Sequence, residues 1–518
     1  MNKIAKILST YILFKTIKKY WFLISFLCLT TLAIILRWYP IHGGLFTFEY
    51  DMAKDSLIML EMYQYKDPSL VGPTTSIPGL FYGPAWYYIA LIPNILMNFT
   101  PFAGVIVVWL GVAINIYLFK KYVGTFEAFL YAVSSGLIGA QQNAWTPYMT
   151  TLIIGPLLIV LTKIKSNKKI DTVQLELVAA LTSLLFHFQP AYGIVAIPVV
   201  LASLVVKKIR PSMKQIGIAL GVFSASFVPF VLFEIKNNFI QSKSLLAFIQ
   251  NFGTESSVIE PNATGIGRLG EVASEIVTTA GQALSPIHPN FWYGLLIVLI
   301  TLLYLKHHKN RDESLPVLYF IVGTFLLYLV LPVKAYYLVA LMPVWIYAVG
   351  GYFTGIKSIF KPAIMFFFLV LAILHAGWQR QTYLDLANRT ADLYQPKQIA
   401  VDTVYDMANG AEFSSYQFVP QVYDYTYQYI FLNKIRQGAQ IPAEFSYAPE
   451  KTDYNTYKHI DAIQTDSELV FLIVEKPHYQ NVQDEWWDAI TSELTIVDTV
   501  NISDAITVYK AYKNESSR

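Results

Sequence analysis

Twelve apolar runs, most of them about 15 to 20 residues long, recur between Trp21 and Trp378, and each approaches the length a helix needs to cross a bilayer. They lie near 21–38, 78–97, 101–118, 125–142, 148–162, 172–188, 191–206, 215–233, 291–305, 315–332, 335–352 and 362–378. Hydrocarbon cannot hydrogen-bond a free backbone, so such a chain folds as a polytopic bundle of α-helices. Only 14% of its 518 residues are charged, against roughly 25% in soluble proteins. The single cysteine, Cys28, sits in the first run, which excludes an intrachain disulfide and a Cys-based metal site. No small-residue cleavage motif follows Trp21–Pro40, so that run reads as a retained span and not a signal peptide.

Basic clusters mark the loops expected on the cytoplasmic side. They are Lys3/Lys6/Lys15/Lys18/Lys19, Lys120/Lys121, Lys163/Lys165/Lys168/Lys169, Lys207/Lys208/Arg210/Lys214, Lys306/Lys309/Arg311 and Lys357/Lys361. From Lys120 onward, two runs separate each cluster from the next, as alternation demands. Three runs lie between the N-terminal cluster and Lys120, so one of them does not cross. The choice is 78–97, where Pro78, Pro84 and Pro93 interrupt a helix and an aromatic cluster suits the interface. The expected topology has eleven spans plus juxtamembrane helices, with the N-terminus cytoplasmic and the C-terminus outside, as in a multi-pass plasma-membrane protein.

Three features then fall on the outer face: the loop at about 39–77, a long loop at about 234–290, and everything after 378. Two units are expected, a transmembrane part at 1–378 and an extracytoplasmic part at 379–518. The latter is richer in Tyr, Asp, Gln and Asn and carries β-like runs at Leu469–Lys476, Leu494–Val500 and Ala505–Tyr512, so it reads as a small α/β domain. The Gly/Ser/Pro-containing stretch 253–264 reads as a mobile loop.

The first outer loop contains "FTFEYDMAKDSL" (Phe46–Leu57). As a helix, Asp51–Tyr63 places Asp51 and Asp55 about 40° apart on one face. Met52, Ala53, Leu57, Met59, Leu60 and Tyr63 cover the other. This predicts an amphipathic helix at the membrane surface with both carboxylates turned to water. Such a pair can share a cation or supply a general base, and it can equally be a solvated helix face. Downstream come "YGPAWYY" (Tyr82–Tyr88), "FHFQPAY" (Phe186–Tyr192) and "KAYYLVALMP" (Lys334–Pro343).

This order resembles the GT-C glycosyltransferases of the protein O-mannosyltransferase and lipid A aminoarabinose transferase type (glycosyltransferase family 39). That family pairs an Asp-led helix in the first outer loop with a Pro-Pro-Leu-Tyr-Tyr-type segment and a later Lys/Arg followed by Tyr-Leu-x-x-x-x-Pro. Two departures stand out: Met52 follows Asp51 where the family has Glu, and Gly83-Pro84 replaces Pro-Pro. The resemblance implies transfer of a sugar from a polyprenyl-phosphate donor to an acceptor outside the membrane, the acceptor being a protein, a lipid or a polysaccharide. It implies Asp51, then Asp55, as the carboxylate that takes the acceptor's proton. It implies Lys334, then Arg268, as the cation at the departing phosphate. Tyr82, Trp86, His187, Gln189 and Tyr337 are candidates for the sugar or acceptor, and His288 is a weaker one. Interfacial anchoring or a helix-end hydrogen bond explains these aromatics and histidines equally well. No essential cofactor or metal is expected, a divalent cation staying open as an alternative. The expected partners are the lipid-linked donor, the acceptor and membrane lipids, with no nucleic acid.

A transporter or flippase for a lipid-linked glycan is the main rival. It would place ionisable groups near mid-membrane, whereas here the runs are nearly free of charge and polar residues collect on one face. A membrane scaffold and an oligosaccharide ligase of another fold also fit the hydropathy. The parity argument predicts that a reporter fused after Asn98 reads as extracytoplasmic; a cytoplasmic signal would invert the topology.

Overall fold

The computed structural model describes residues 2–75, 77–166, 168, 170–250, 265–284, 291–308, 311–355, 358–420, 423–445 and 467–514. His288 and the 253–264 loop lie outside the described residues. The chain opens with α1 (Asn2–Ile41), α2 (Tyr50–Tyr65), α3 (Ala85–Leu96), α4 (Ala103–Tyr122), α5 (Thr125–Val133) and α6 (Ser135–Ala140). It continues through α7 (Thr150–Lys163), α8 (Thr172–Phe188), α9 (Pro190–Val206), α10 (Met213–Ala225), α11 (Val228–Lys236), α12 (Ile240–Gln250) and α13 (Gly265–Gln282). The bundle closes with α14 (Phe291–His307), α15 (Arg311–Val330), α16 (Ala335–Leu338), α17 (Met342–Thr354) and α18 (Lys361–Arg389).

Six helical stretches among the described residues are long and apolar enough to cross a membrane, or seven if α10 and α11, bent by 49°, form one span. Pro229 near the start of α11 lacks the amide that would continue α10. α8, α9 and α14 are apolar at 17 residues each.

α3 is different. Its 12 residues reach about 18 Å, short of a hydrocarbon core of about 30 Å. The chain before and after it also meets the same structure. Beyond α1, the Gly44 and Phe46 carbonyls accept from Gln395 and Tyr394 at 2.9 and 3.0 Å. Ahead of α4, the Phe99 carbonyl accepts from Tyr429 Oη at 2.7 Å and Asn433 Nδ2 at 2.8 Å. The stretch from 42 to 102 therefore leaves and returns at one face of the bundle.

That face carries the C-terminal part: α19 (Tyr394–Ala408), β1 (Ser414–Phe418), α20 (Tyr425–Arg436), β2 (Leu469–Glu475), α21 (Gln480–Thr491), β3 (Leu494–Ser503) and β4 (Ile506–Lys513). The sheet order is β1-β2-β4-β3, with β1 and β2 parallel and the other pairs antiparallel. The three β-like runs expected from sequence are β2, β3 and β4, and β1 is an addition. β2 is buried along its whole length. Its alternation sends Phe471 and Ile473 toward one core and Val470, Leu472 and Val474 toward the α21 side. The expected boundary at 378/379 falls inside α18, which runs on to Arg389.

Nor is the core of the C-terminal part its own. Val404, Phe431, Phe471 and Val508 belong to one apolar cluster with Phe46, Met52, Leu60, Trp86 and Val108 of the loop, α2, α3 and α4. The rest of the bundle packs around a separate cluster. At the domain junction Lys397 and Glu475 form a buried ion pair at 3.6 Å, with side chains 1% and 2% exposed, and Tyr427 Oη donates to Glu475 at 2.9 Å. A chain truncated after Arg389 is therefore expected to melt well below the full chain, or to aggregate, in detergent thermal-shift measurements. An unchanged melting point would mean that the membrane part stands without the shared core.

Candidate active site

The site is built on α2 and the loops facing it. Glu49 stands at the N-cap of α2 in an extended conformation and its side chain caps nothing. Two residues on, the Asp51 side chain is 49% exposed. Lys54, itself buried, brings its ammonium to 4.0 Å from Asp51 Oδ1 and donates to Thr74 Oγ1 at 3.1 Å. It thereby ties α2 to the hairpin that carries Tyr82. In that hairpin Tyr82 N donates to the Pro73 carbonyl and its own carbonyl accepts from Gly72 N, both at 2.8 Å. Thr74 bridges to Phe81, and Phe81 N donates to Gln241 of α12 at 3.1 Å.

Asp55 departs from the sequence expectation. It is 2% exposed and accepts from Tyr87 Oη at 2.9 Å. α2 is not a surface-lying amphipathic helix. α3, α20 and the neighbouring loops cover nearly every side of it, because a face that lipid alone does not explain is filled by the domain folded over it. Burial pushes the Asp55 carboxyl up to about 7; Lys54 opposes this, Asp51 adds to it and the Tyr87 hydrogen bond works against it. Glu49 also lies at about 7, raised by burial first and by Asp392, lowered by Lys397, and raised again by Asp51. Glu49 is thus coupled electrostatically to Asp51 and Tyr148.

Opposite Asp51 stands an aromatic wall. Tyr336 packs on Trp145 at 4.9 Å and on Tyr337 at 4.4 Å between ring centroids. Tyr337 stacks on Tyr328 at 6.2 Å, and Trp145 meets Tyr148 edge-on at 5.2 Å. Tyr82 faces this wall, and its hydroxyl pKa is raised by burial, then by Tyr337, Tyr336 and Asp51. Tyr82, Tyr337 and Asp51 thus converge. Lys334 sits at the N-cap of α16, exposed, beside Tyr336 and Tyr337; its carbonyl accepts from Tyr337 N at 2.9 Å, and its ammonium makes no hydrogen bond or ion pair with a described residue.

The remaining candidates lie elsewhere or are occupied. Arg268 is buried; it pairs with Glu271 at 2.5 Å and donates to the carbonyls of Tyr328 and Leu331. Its guanidinium pins α13 to the end of α15. Trp86 is buried between α3 and α4; it lines an apolar groove of about 580 Å³ bounded also by α7 and α8 and, on another side, a small cavity shared with Asp55. His187 and Gln189 are buried at the α8–α9 junction. No group of three His, Cys, Asp or Glu among the described residues could hold a metal.

No protein-family model matches the chain, and no curated protein matches it. Among solved structures, ArnT from Cupriavidus metallidurans bound to undecaprenyl phosphate aligns over 93% of this chain and 97% of its own, with a TM-score of 0.60 at 9% identity. ArnT in the apo state aligns over the same shares with a TM-score of 0.58 at 10% identity. The chain has the GT-C fold.

Within this GT-C fold, sequence reasoning missed Lys54, Tyr148, Tyr328 and Tyr336 as parts of the site. Tyr336 was in reach as the neighbour of Tyr337. Lys54 carried no signal, since a lysine between two aspartates reads as a solvated helix face.

The Asp55 shift has a testable sign. Its carboxyl lies at about 7 when folded and near 3.9 in an unfolded chain, so the folded state binds the extra proton between those values. The resulting stability is present in full below pH 4 and is lost as pH rises through 7. Asp55→Asn keeps an oxygen for Tyr87 and does not ionise. The variant is expected to melt progressively higher than the parent as pH rises from 5 to 8, the residual slope belonging to other groups such as Glu49. Parallel melting curves across that range would refute the buried-acid assignment.

Proposed function

We propose that the chain is an integral-membrane glycosyltransferase, moving a sugar from a polyprenyl-phosphate carrier to an acceptor nucleophile at the face that bears the C-terminal domain. The observation that carries this reading is the convergence of a half-exposed carboxylate, Asp51, with Tyr82, Tyr336 and Tyr337, beside an exposed lysine, within the fold of a protein bound to undecaprenyl phosphate. In this reading Asp51 accepts the proton of the acceptor as it attacks the anomeric carbon. The bond from that carbon to the phosphate oxygen breaks, and polyprenyl phosphate leaves. Lys334 meets the departing phosphate, where a free ammonium gains most as charge develops. The apolar groove between α3, α4, α7 and α8 offers room for an isoprenoid chain. Asp55 and Arg268 brace the elements around the site. No step requires a metal, and turnover is expected to survive EDTA.

The topology that goes with this reading is the eleven-span one, which adds α8, α9, α14 and the broken α5–α6 pair to the long helices. It places the N-terminus in the cytoplasm and the C-terminal domain outside. A transporter draws no support from the site, whose polar groups gather at one face.

The test is single substitution with a glycan readout in cells lacking the parent gene, at matched protein level. Asp51→Asn is expected to lower transfer by about 10²–10⁴-fold, the range of a lost general base. Asp55→Asn is expected to stay within a few-fold of the parent, and Lys334→Ala to lower kcat more than it raises KM for the donor. Full activity in Asp51→Asn would refute the assignment.

A further inference from the structure

The hairpin that carries Tyr82 is held from three sides. Lys54 ties it to α2 through Thr74, and His187 of α8 packs on Gly83. The third hold comes from α11 and α12, which belong to neither the site nor the C-terminal part.

That hold closes on Phe81, the residue before Tyr82. Phe233 of α11, 4% exposed, meets the Phe81 ring edge-on at 5.4 Å. Gln241 of α12, 9% exposed, accepts from Phe81 N through its Oε1 at 3.1 Å. Ser244, one turn further along α12, lies against Gly79, where a Cβ would come within 2.2 Å of its hydroxyl. Phe81 is thus fixed at its ring by one helix and at its backbone by the next.

The local structure is arranged for this contact. Between α11 and α12 the chain reverses through Asn238 and Phe239, whose φ values of +52° and +59° are uncommon for residues with side chains. The Glu234 carboxylate then caps α12 from the preceding helix. It accepts from Gln241 N and Ser242 N, both at 2.9 Å, and from Ser242 Oγ at 2.5 Å, placing negative charge at a helix N-terminus. Gln241, Ser244 and Phe248 recur at helical spacing on the covered face of α12, while Leu245, Leu246 and Ile249 are exposed. Exposed apolar residues on a short helix suit the membrane interface. A helix that served only to fill space would turn its leucines inward. α12 turns a glutamine and a serine to the hairpin and leaves the leucines outside.

We propose that Gln241 is a positioning residue for the transfer reaction: from α12 it holds the Phe81 amide and so fixes where Tyr82 stands in the site. The inference rests on the glycosyltransferase reading above and goes beyond it, to a residue that touches no substrate. Gln241→Leu keeps much of the side-chain volume and removes the acceptor. The Phe81 amide, left without a partner, is relieved when the hairpin moves toward water, and a displacement of about 1 Å in a reacting group can cost about 10²-fold in rate.

Two measurements on the full chain test this. In nanodiscs, amide hydrogen exchange of peptides covering 72–84 is expected to be about tenfold faster in Gln241→Leu, the scale of one hydrogen bond. Peptides from α2 and the C-terminal sheet should exchange as in the parent, and undecaprenyl phosphate should bind equally well, which separates positioning from misfolding. In cells lacking the parent gene, at matched protein level, Gln241→Leu is expected to lower glycan transfer about tenfold or more, and Tyr82→Ala at least as much. The double variant should fall no lower than Tyr82→Ala alone, because both changes act through one side chain. Gln241→Glu keeps an oxygen acceptor in either charge state and is expected to stay within a few-fold of the parent.

Unchanged exchange at 72–84, full activity in Gln241→Leu or in Tyr82→Ala, losses that multiply in the double variant, or a Gln241→Glu as impaired as Gln241→Leu each overturn the inference. In those cases the parent chain still transfers and binds undecaprenyl phosphate, and the transferase reading survives. A parent chain that neither binds undecaprenyl phosphate nor restores glycan transfer overturns that reading and this inference with it.

Discussion

The site depends on a short backbone clamp. After α1 the chain turns at Gly43 and Gly44, whose φ values of +80° and +87° place them where side-chain-bearing residues are strained. It then runs extended beside the first residues of the C-terminal part. Phe48 N donates to the Asp392 carbonyl at 3.1 Å, Tyr394 N to Phe46 and Gln395 N to Gly44, with Thr47 and Leu393 as the bridge. Tyr50 then packs on Tyr425 at 5.0 Å. Asp51 is the next residue. Its position is fixed less by the membrane bundle than by a domain lying some 340 residues further along the chain, and the apolar cluster shared by α2, α3, α4 and that domain follows from the same arrangement.

Three carboxylates within seven residues receive three environments from this clamp. Asp51, half-exposed and 4.0 Å from Lys54, stays in contact with water and with the aromatic wall. Asp55, one helical turn on, points into the α2–α3 contact against Tyr87. Glu49, ahead of the helix, lies between Asp392, Asp51 and Lys397. The carboxyl chemistry is the same at all three. Desolvation raises the Asp55 and Glu49 carboxyls, while Asp51 alone of the three is left half-exposed.

These environments explain what the sequence disclosed. The polytopic helical bundle and the β-rich tail were legible because lipid imposes length and charge rules on a chain and because strands alternate with period 2, the helix at Asp51 from its helical phasing, and the GT-C fold only through the resemblance carried by Asp51, Tyr82–Tyr88 and Lys334–Pro343. The orientation of α2 was not. An i, i+4 acid pair opposite apolar residues looks the same whether the acids face water or a folded domain, and only tertiary contact distinguishes the two. Arg268 failed for a related reason: an isolated arginine in a long loop reveals nothing of the Tyr328 and Leu331 carbonyls that consume its donors. β1 was missed because "SSYQF" (Ser414–Phe418) is too short and polar to stand out until β2 pairs with it.

Gly83, where the related motif has proline, has a physical cause in this chain. A Cβ at position 83 would come within 1.9 Å of His187 Nδ1, far inside any van der Waals contact, so neither proline nor alanine fits while His187 keeps its place. Gly83 lets the Tyr82 hairpin lie against the end of α8. That contact brings Tyr82 and His187 to the same side of the site, and Lys54, through Thr74, anchors the other end of the same hairpin to α2. The glycine and the buried histidine are therefore one feature: the His187 ring occupies the space that a side chain at position 83 would need, and Tyr82 stays within electrostatic reach of Asp51.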